Sequence, residues 1–146
     1  MKTLCVIDMQ PGFGNSYGAL EGCLKLIDVA KKRRHHIILV EYKGEGRTQQ
    51  EILDKLRRYK NYSVVKKNKN DGSWHIFRHL GKNNIKPREI TICGVNTRYC
   101  VYETARGLIN KLNKSKVIVN LSACNDDRTK EEQRKFLKDY AIAIKE

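Results

Sequence analysis

No stretch of this chain approaches the roughly 20 consecutive apolar residues that a membrane-spanning helix needs, and Met1 to Ile7 is too short and too soon acidic for a secretory leader. A cytoplasmic protein is expected. The five cysteines, at 5, 23, 93, 100 and 124, include no CxxC pair and have no histidine at zinc-finger spacing, and their odd number argues against a disulfide scaffold. No glycine-rich phosphate loop follows the first apolar run, so the nucleotide-binding fingerprints are excluded. Acids are scarce, 16 against 30 Lys and Arg, for a net charge of +14. Such an excess attracts polyanions. Yet no nucleic-acid motif is present, and only Lys31 to Arg34 runs to four cations, the rest being scattered, so a nucleic-acid partner is not expected.

What is present fits one soluble domain over residues 1–146, with 40% hydrophobic and 32% charged residues. Apolar runs of strand length alternate with segments of helical spacing. Thr3–Asp8, His36–Tyr42, Tyr62–Lys67, Glu89–Cys93 and Lys116–Leu121 read as strands, with Ala141–Ile144 a short last one. Helices are expected over 19–34, after a Thr48 N-cap, over Trp74–Leu80 with Trp74, Phe77 and Leu80 inward, from Cys100, and over Glu131–Tyr140. Alternation of this kind predicts an α/β fold with a mostly parallel sheet covered by helices on both faces. His35 and His36 precede a strand and read as a solvated turn; His75 and His79 read as a surface pair.

The most informative stretch is Arg88 to Leu112. A buried-strand pattern ends at a turn near Gly94, and from Cys100 onward Val101, Ala105, Leu108, Ile109 and Leu112 recur at helical spacing. This puts a thiol at a helix N-terminus beyond a strand's C-terminal end, where unpaired N–H groups favour an anion and the thiol pKa is expected to fall. The alternative is a buried structural cysteine. Asp8 ends the first strand, and Lys66 and Lys67 end the third. In a parallel sheet a carboxylate, a lysine and Cys100 share one edge, the edge at which open α/β sheets carry their sites.

The segments VIDMQPGF, VVKK and GVNTRYCVYETARGL, in that order, resemble the three signature regions of the isochorismatase-like cysteine hydrolases, which include nicotinamidases and N-carbamoylsarcosine amidase. The resemblance implies a three-layer Rossmann-like fold of about six strands and a catalytic triad of Asp8, Lys67 and Cys100, with Lys67 favoured over Lys66 by its offset. It implies a cis peptide at Val95–Asn96, oxyanion donors from the amides of Asn96 and Cys100, cleavage of a small amide, and assembly as a dimer or tetramer. Gln10, Phe13, Trp74 and Thr97 are candidates for substrate contact, although Trp74 and Phe77 could equally pack on the sheet. Nicotinamidases bind a metal through an Asp and two His from the region after the second strand. Glu41, Lys43 and Glu45 offer no such set here, so neither a metal nor another cofactor is expected. Where many relatives have an acid then Ala after the fifth strand, this chain has Ser122 and Ala123. A degenerate member that only binds an acidic partner or nucleic acid is the alternative to an enzyme.

Overall fold

Residues such as Leu4, Val6, Ile37 and Leu39 alternate with Cys5, Ile7, Ile38 and Val40, and both sets are buried, which is how a strand covered on two faces must read. The computed structural model describes residues 2–146. Its elements are β1 (Lys2–Ile7), α1 (Ser16–Lys32), β2 (His36–Tyr42), α2 (Gln50–Leu56), β3 (Tyr62–Lys67), α3 (Ser73–Lys82), β4 (Glu89–Val95), a π-helical turn (Thr97–Val101), α4 (Tyr102–Lys111), β5 (Lys116–Asn125), α5 (Lys130–Asp139) and β6 (Ala143–Lys145). Among the described residues the six strands form one sheet in the order β3-β2-β1-β4-β5-β6, and every pairing is parallel. The first set of strand residues packs with Cys23 and Ile27 of α1 and Ile52 and Leu56 of α2. The second packs with Ile76 of α3, Leu108 of α4 and Leu137 of α5. The result is a three-layer α/β sandwich with Rossmann-like topology. Each fully buried aliphatic side chain contributes about 1.5–3 kcal/mol relative to exposure, so the two apolar layers hold the fold and the polar rim is free to serve other ends. Among the described residues no helix is long and apolar enough to cross a membrane.

The topology decides where chemistry can sit. From β1 the chain winds outward through β2 and β3, then returns to place β4 on β1's other side, so β1 and β4 flank the point where strand order reverses. Gly94 of β4 pairs with Ile7 of β1, and the segments that leave these two strands emerge side by side.

Several boundaries differ from expectation for identifiable reasons. α1 begins at Ser16 rather than 19 because Ser16 is buried, its Oγ donating to the Gln10 carbonyl (3.0 Å) and accepting from Gln49 Nε2 (2.9 Å). Thr48 does not cap α2; its hydroxyl donates to Glu41 Oε2 (2.7 Å). β5 runs on to Asn125 past a register shift opposite Ile92 and Gly94. The inward residues of α3 are Ser73, Ile76 and Leu80, leaving Trp74 and Phe77 49% and 42% exposed. His36 is not solvated: it is buried and stacked on His79, with their Nε2 atoms 3.0 Å apart, so His79 pairs across to β2 rather than with His75.

α3 and α4 are locked together near the site. The Gly72 amide donates to Thr104 Oγ1 (2.9 Å), Lys111 Nζ donates to Ser73 Oγ (3.0 Å), and a Cβ on Gly107 would overlap the Ser73 hydroxyl.

Gly94 has φ of +115°, and a side chain there would run into the backbone of Ile7. Gly94→Ala should therefore destabilise the protein by about 2–4 kcal/mol, since strain and backbone collision act together. Urea unfolding measures this, and a loss below about 0.5 kcal/mol would contradict the close β1–β4 approach.

Candidate active site

Asp8 is the first residue past β1. Its φ is +53°, and its amide donates to the Val40 carbonyl (2.9 Å), so the turn out of β1 is anchored on β2. Its carboxylate is buried and points to Lys67, the last residue of β3. Adjacent strand residues face opposite ways: Lys66 is exposed and Lys67 fully buried, which selects Lys67 as the lysine facing in. Lys67 Nζ donates to Asp8 Oδ2 (3.0 Å) and the Lys69 carbonyl (3.0 Å), and lies 4.2 Å from the centroid of the Tyr42 ring. Tyr42 ends β2, the strand between β1 and β3, and Phe13 packs edge-on against it with ring centroids 5.9 Å apart.

Cys100 lies in the π-helical turn that follows β4, not at the start of the α-helix proper. It is 5% exposed, and its sulfur donates to Asn70 Oδ1 (3.5 Å). Asn70 Nδ2 in turn donates to Glu103 Oε2 (2.9 Å), which fixes which face of the amide meets the sulfur. The thiol pKa does not fall as expected from the helix end: burial first, then the Asp8 charge, push it up to about 12, and Lys67 only partly offsets them. Burial likewise raises the Asp8 carboxyl pKa, against the pull of Lys67 and of the neighbouring Cys100 thiol. Asp8 Oδ1 has no hydrogen-bond partner among the described residues, so it is the carboxylate oxygen free to take the thiol proton. The thiol is therefore protonated at neutral pH and sits beside an acceptor for its proton.

The structure thus brings Asp8, Lys67 and Cys100 to one rim. The Val95–Asn96 peptide is cis, and the Cys100 amide lies in a first helical turn, where N–H groups lack acceptors within their own helix. Asn96 Oδ1 accepts from Asn15 Nδ2 (2.6 Å), joining the loop after β1 to the loop after β4. Two other sequence candidates are engaged by the protein itself. Gln10 is fully buried, with its amide donating to the Tyr42 and Gly46 carbonyls (2.9 and 2.7 Å) and accepting from the Tyr42 amide (2.8 Å). Thr97 Oγ1 donates to Gln133 Oε1 (2.7 Å), also in full burial. Trp74 stands half exposed at the start of α3.

Asn70, Glu103 and Tyr42 escaped the sequence reading. Glu103 could have been found from its place three residues past Cys100, on the same helical side. Asn70 and Tyr42 carried no signal, because only the folded chain brings them to the sulfur and the ammonium. The donors after β2 do not fit a metal: Glu41 Oε2 is taken by the amide and hydroxyl of Thr48, and among the described residues no three His, Cys, Asp or Glu side chains gather as a ligand set.

Residues 2–144 match the family model described as the isochorismatase domain. No curated protein matches. Among solved structures the chain is similar to the nicotinamidase SaPncA of Staphylococcus aureus, with a TM-score of 0.80, 16% identity and 99% and 98% of the two chains covered. It is also similar to N-carbamoylsarcosine amidase of Thermoplasma acidophilum, with a TM-score of 0.77, 17% identity and coverage of 99% and 95%. A third likeness is to the MAR1 ribonuclease of Caenorhabditis elegans, with a TM-score of 0.80, 20% identity and coverage of 97% and 74%. At such identities the likeness is one of fold.

Because an adjacent anion holds the thiol proton on, Asp8→Asn should lower the Cys100 pKa from about 12 while Lys67 goes on favouring the thiolate. Ultraviolet titration of thiolate, corrected with the Asp8→Asn/Cys100→Ala double variant, reads the shift. An unchanged or higher value would show that the carboxylate and sulfur do not interact.

Proposed function

The chain belongs to the isochorismatase family, and we propose that it is a cysteine hydrolase that cleaves the C–N bond of a small amide through a thioester on Cys100. A free thiolate is costly in so buried a place, so proton transfer must accompany attack. Asp8 takes the thiol proton as sulfur bonds to the amide carbon, a general-base role worth typically 10²–10⁴-fold. Lys67 keeps Asp8 ionised and in position, and Asn70, steered by Glu103, orients the sulfur. Negative charge moves to the former carbonyl oxygen and is held by the amides of Asn96 and Cys100, each such donor being worth about 10²–10³-fold. Asp8 then gives the proton to the leaving nitrogen as the C–N bond breaks. Water, deprotonated by Asp8, cleaves the thioester and returns the thiol and a carboxylic acid.

The observation that carries this reading is a buried protonated thiol that feels the charge of a carboxylate which is itself bonded to a buried lysine. Two of the solved structures the chain resembles, the nicotinamidase and the N-carbamoylsarcosine amidase, are named for amide hydrolysis. Phe13, packed on the Tyr42 ring that lies beside Lys67, is the proposed pocket wall, whereas Trp74 turns outward on α3. Gln10 and Thr97, being bonded within the protein, serve by holding the loops after β1 and β4. Five free cysteines fit a reducing compartment such as the cytoplasm.

A screen of small primary and N-carbamoyl amides for ammonia release should find a substrate, and Cys100→Ala should lower its turnover by at least about 10³-fold with the melting temperature little changed. Intact-protein mass spectrometry under quench should show an acyl adduct on the wild type alone. Retained hydrolysis by pure Cys100→Ala would rule out the covalent route, and a panel without turnover would favour a protein that only binds.

A further inference from the structure

The chain's positive charge is not evenly spread once folded. Residues 55–88 hold eleven of the thirty Lys and Arg and one of the sixteen acids, so they carry ten of the fourteen net positive charges. They run from the end of α2 through β3 and α3, which is one end of the sheet, since β3 is its edge strand. α3 itself, SWHIFRHLGK, has no acid. Trp74, Phe77, Arg78 and Lys82, at positions i, i+3, i+4 and i+8, are all exposed and form one outward stripe, with the Arg78 guanidinium 5.3 Å from the centroid of the Trp74 ring. Between this helix and Val65 of the edge strand lies a groove of about 270 Å³ walled by His75, Arg78, His79 and Lys82.

We infer that this β3–α3 end binds single-stranded nucleic acid, the phosphates lying along Lys43, Lys69, Arg78 and Lys82 and a base stacking on Trp74. Three further observations support it. Among the described residues these four cations make no ion pair, whereas Lys55 and Arg57, nearer the other rim, are paired with Asp28 and Asp54. Asp71, the acid of the segment, is turned inward to the Ser73 amide (2.8 Å). The His75 pKa is lowered by burial and then by Lys43, Arg78, Lys69 and Lys67, with no acid opposing them, so cations from three separate segments face one point. Along the chain they are interspersed with apolar residues; the β3–α3 turn gathers them.

The interleaving of charge with aromatic faces selects the ligand. An acidic peptide would satisfy the cations but leave the indole unused, whereas a single strand offers phosphates and a π-face together at nucleotide spacing. The surface lies outside the Asp8–Lys67–Cys100 cluster, and the inference does not depend on the hydrolase reading.

Fluorescence anisotropy with a labelled oligo(dT) or oligo(U) and the full chain tests it, with Cys100→Ala as a second background. Binding should weaken with salt, with a log–log slope of about −3 for roughly four phosphates. Arg78→Glu/Lys82→Glu should weaken binding at least about ten-fold and flatten that slope, as expected when two phosphate contacts go. Trp74→Ala should cost about ten-fold with the slope unchanged, as expected for stacking. Lys114→Glu/Lys138→Glu makes the same change in net charge at exposed positions toward the β5–β6 end and should have little effect. Absence of binding, equal weakening by the two charge-reversal pairs, an inert Trp74→Ala, or competition by polyglutamate as strong as by the oligonucleotide would each overturn the inference; circular dichroism melts verify that every variant is folded.

Discussion

The structure is organised around one costly arrangement, a lysine and an aspartate withdrawn from water at the rim of the sheet. Moving each ion inside costs several kcal/mol, and such pairs often add little net stability. This pair persists in full burial because Lys67 has a partner in every direction: the Asp8 carboxylate, the Lys69 carbonyl and the Tyr42 ring. The ammonium thereby bridges β1 to β3 over the end of β2. Gly72 lies close against its side chain, since a Cβ there would stand 3.0 Å from Lys67 Cδ, so the start of α3 is placed by the same lysine.

The competition at Cys100 is decided by magnitudes. A helix terminus favours an anion by roughly 0.3–1 kcal/mol, up to about 2 in partly buried settings. Full burial disfavours the charged form by as much as 3–5 pKa units. Burial prevails, and Asp8 reinforces it. A site of this kind does not store a thiolate in readiness; it stores a proton acceptor. Another core thiol, Cys5, is also raised by burial, with no charged group beside it.

Much of this was legible before folding. Strands buried on both faces read as unbroken apolar runs, so β1 to β5 were found with small errors at their ends. Lys67 stood out by its offset, and in the fold it is Lys67 that is buried and Lys66 that is exposed. Asp8 and Cys100 were legible because strand ends in a parallel sheet must share an edge. The inward side of α3 was misread: Trp74, Phe77 and Leu80 fit helical spacing as well as Ser73, Ile76 and Leu80 do, and hydrophobicity alone favours the aromatics. Gln10 and Thr97 looked available because their partners lie 32 or more residues away, on β2, in the loop after it and on α5. The gathering of cations was hidden for a similar reason, since spacing along the chain says little about which elements share an end of the sheet.

The lock between α3 and α4 has a further consequence. Thr104 and Lys111 grip the start of α3 from the helix that carries on directly from Cys100, and Gly107 leaves no slack between them. Any load on the outer side of α3 is borne by α4 as well, and through it by the sulfur and its neighbours Asn70 and Glu103. Surface and pocket are thus coupled through two packed helices instead of through a connecting loop.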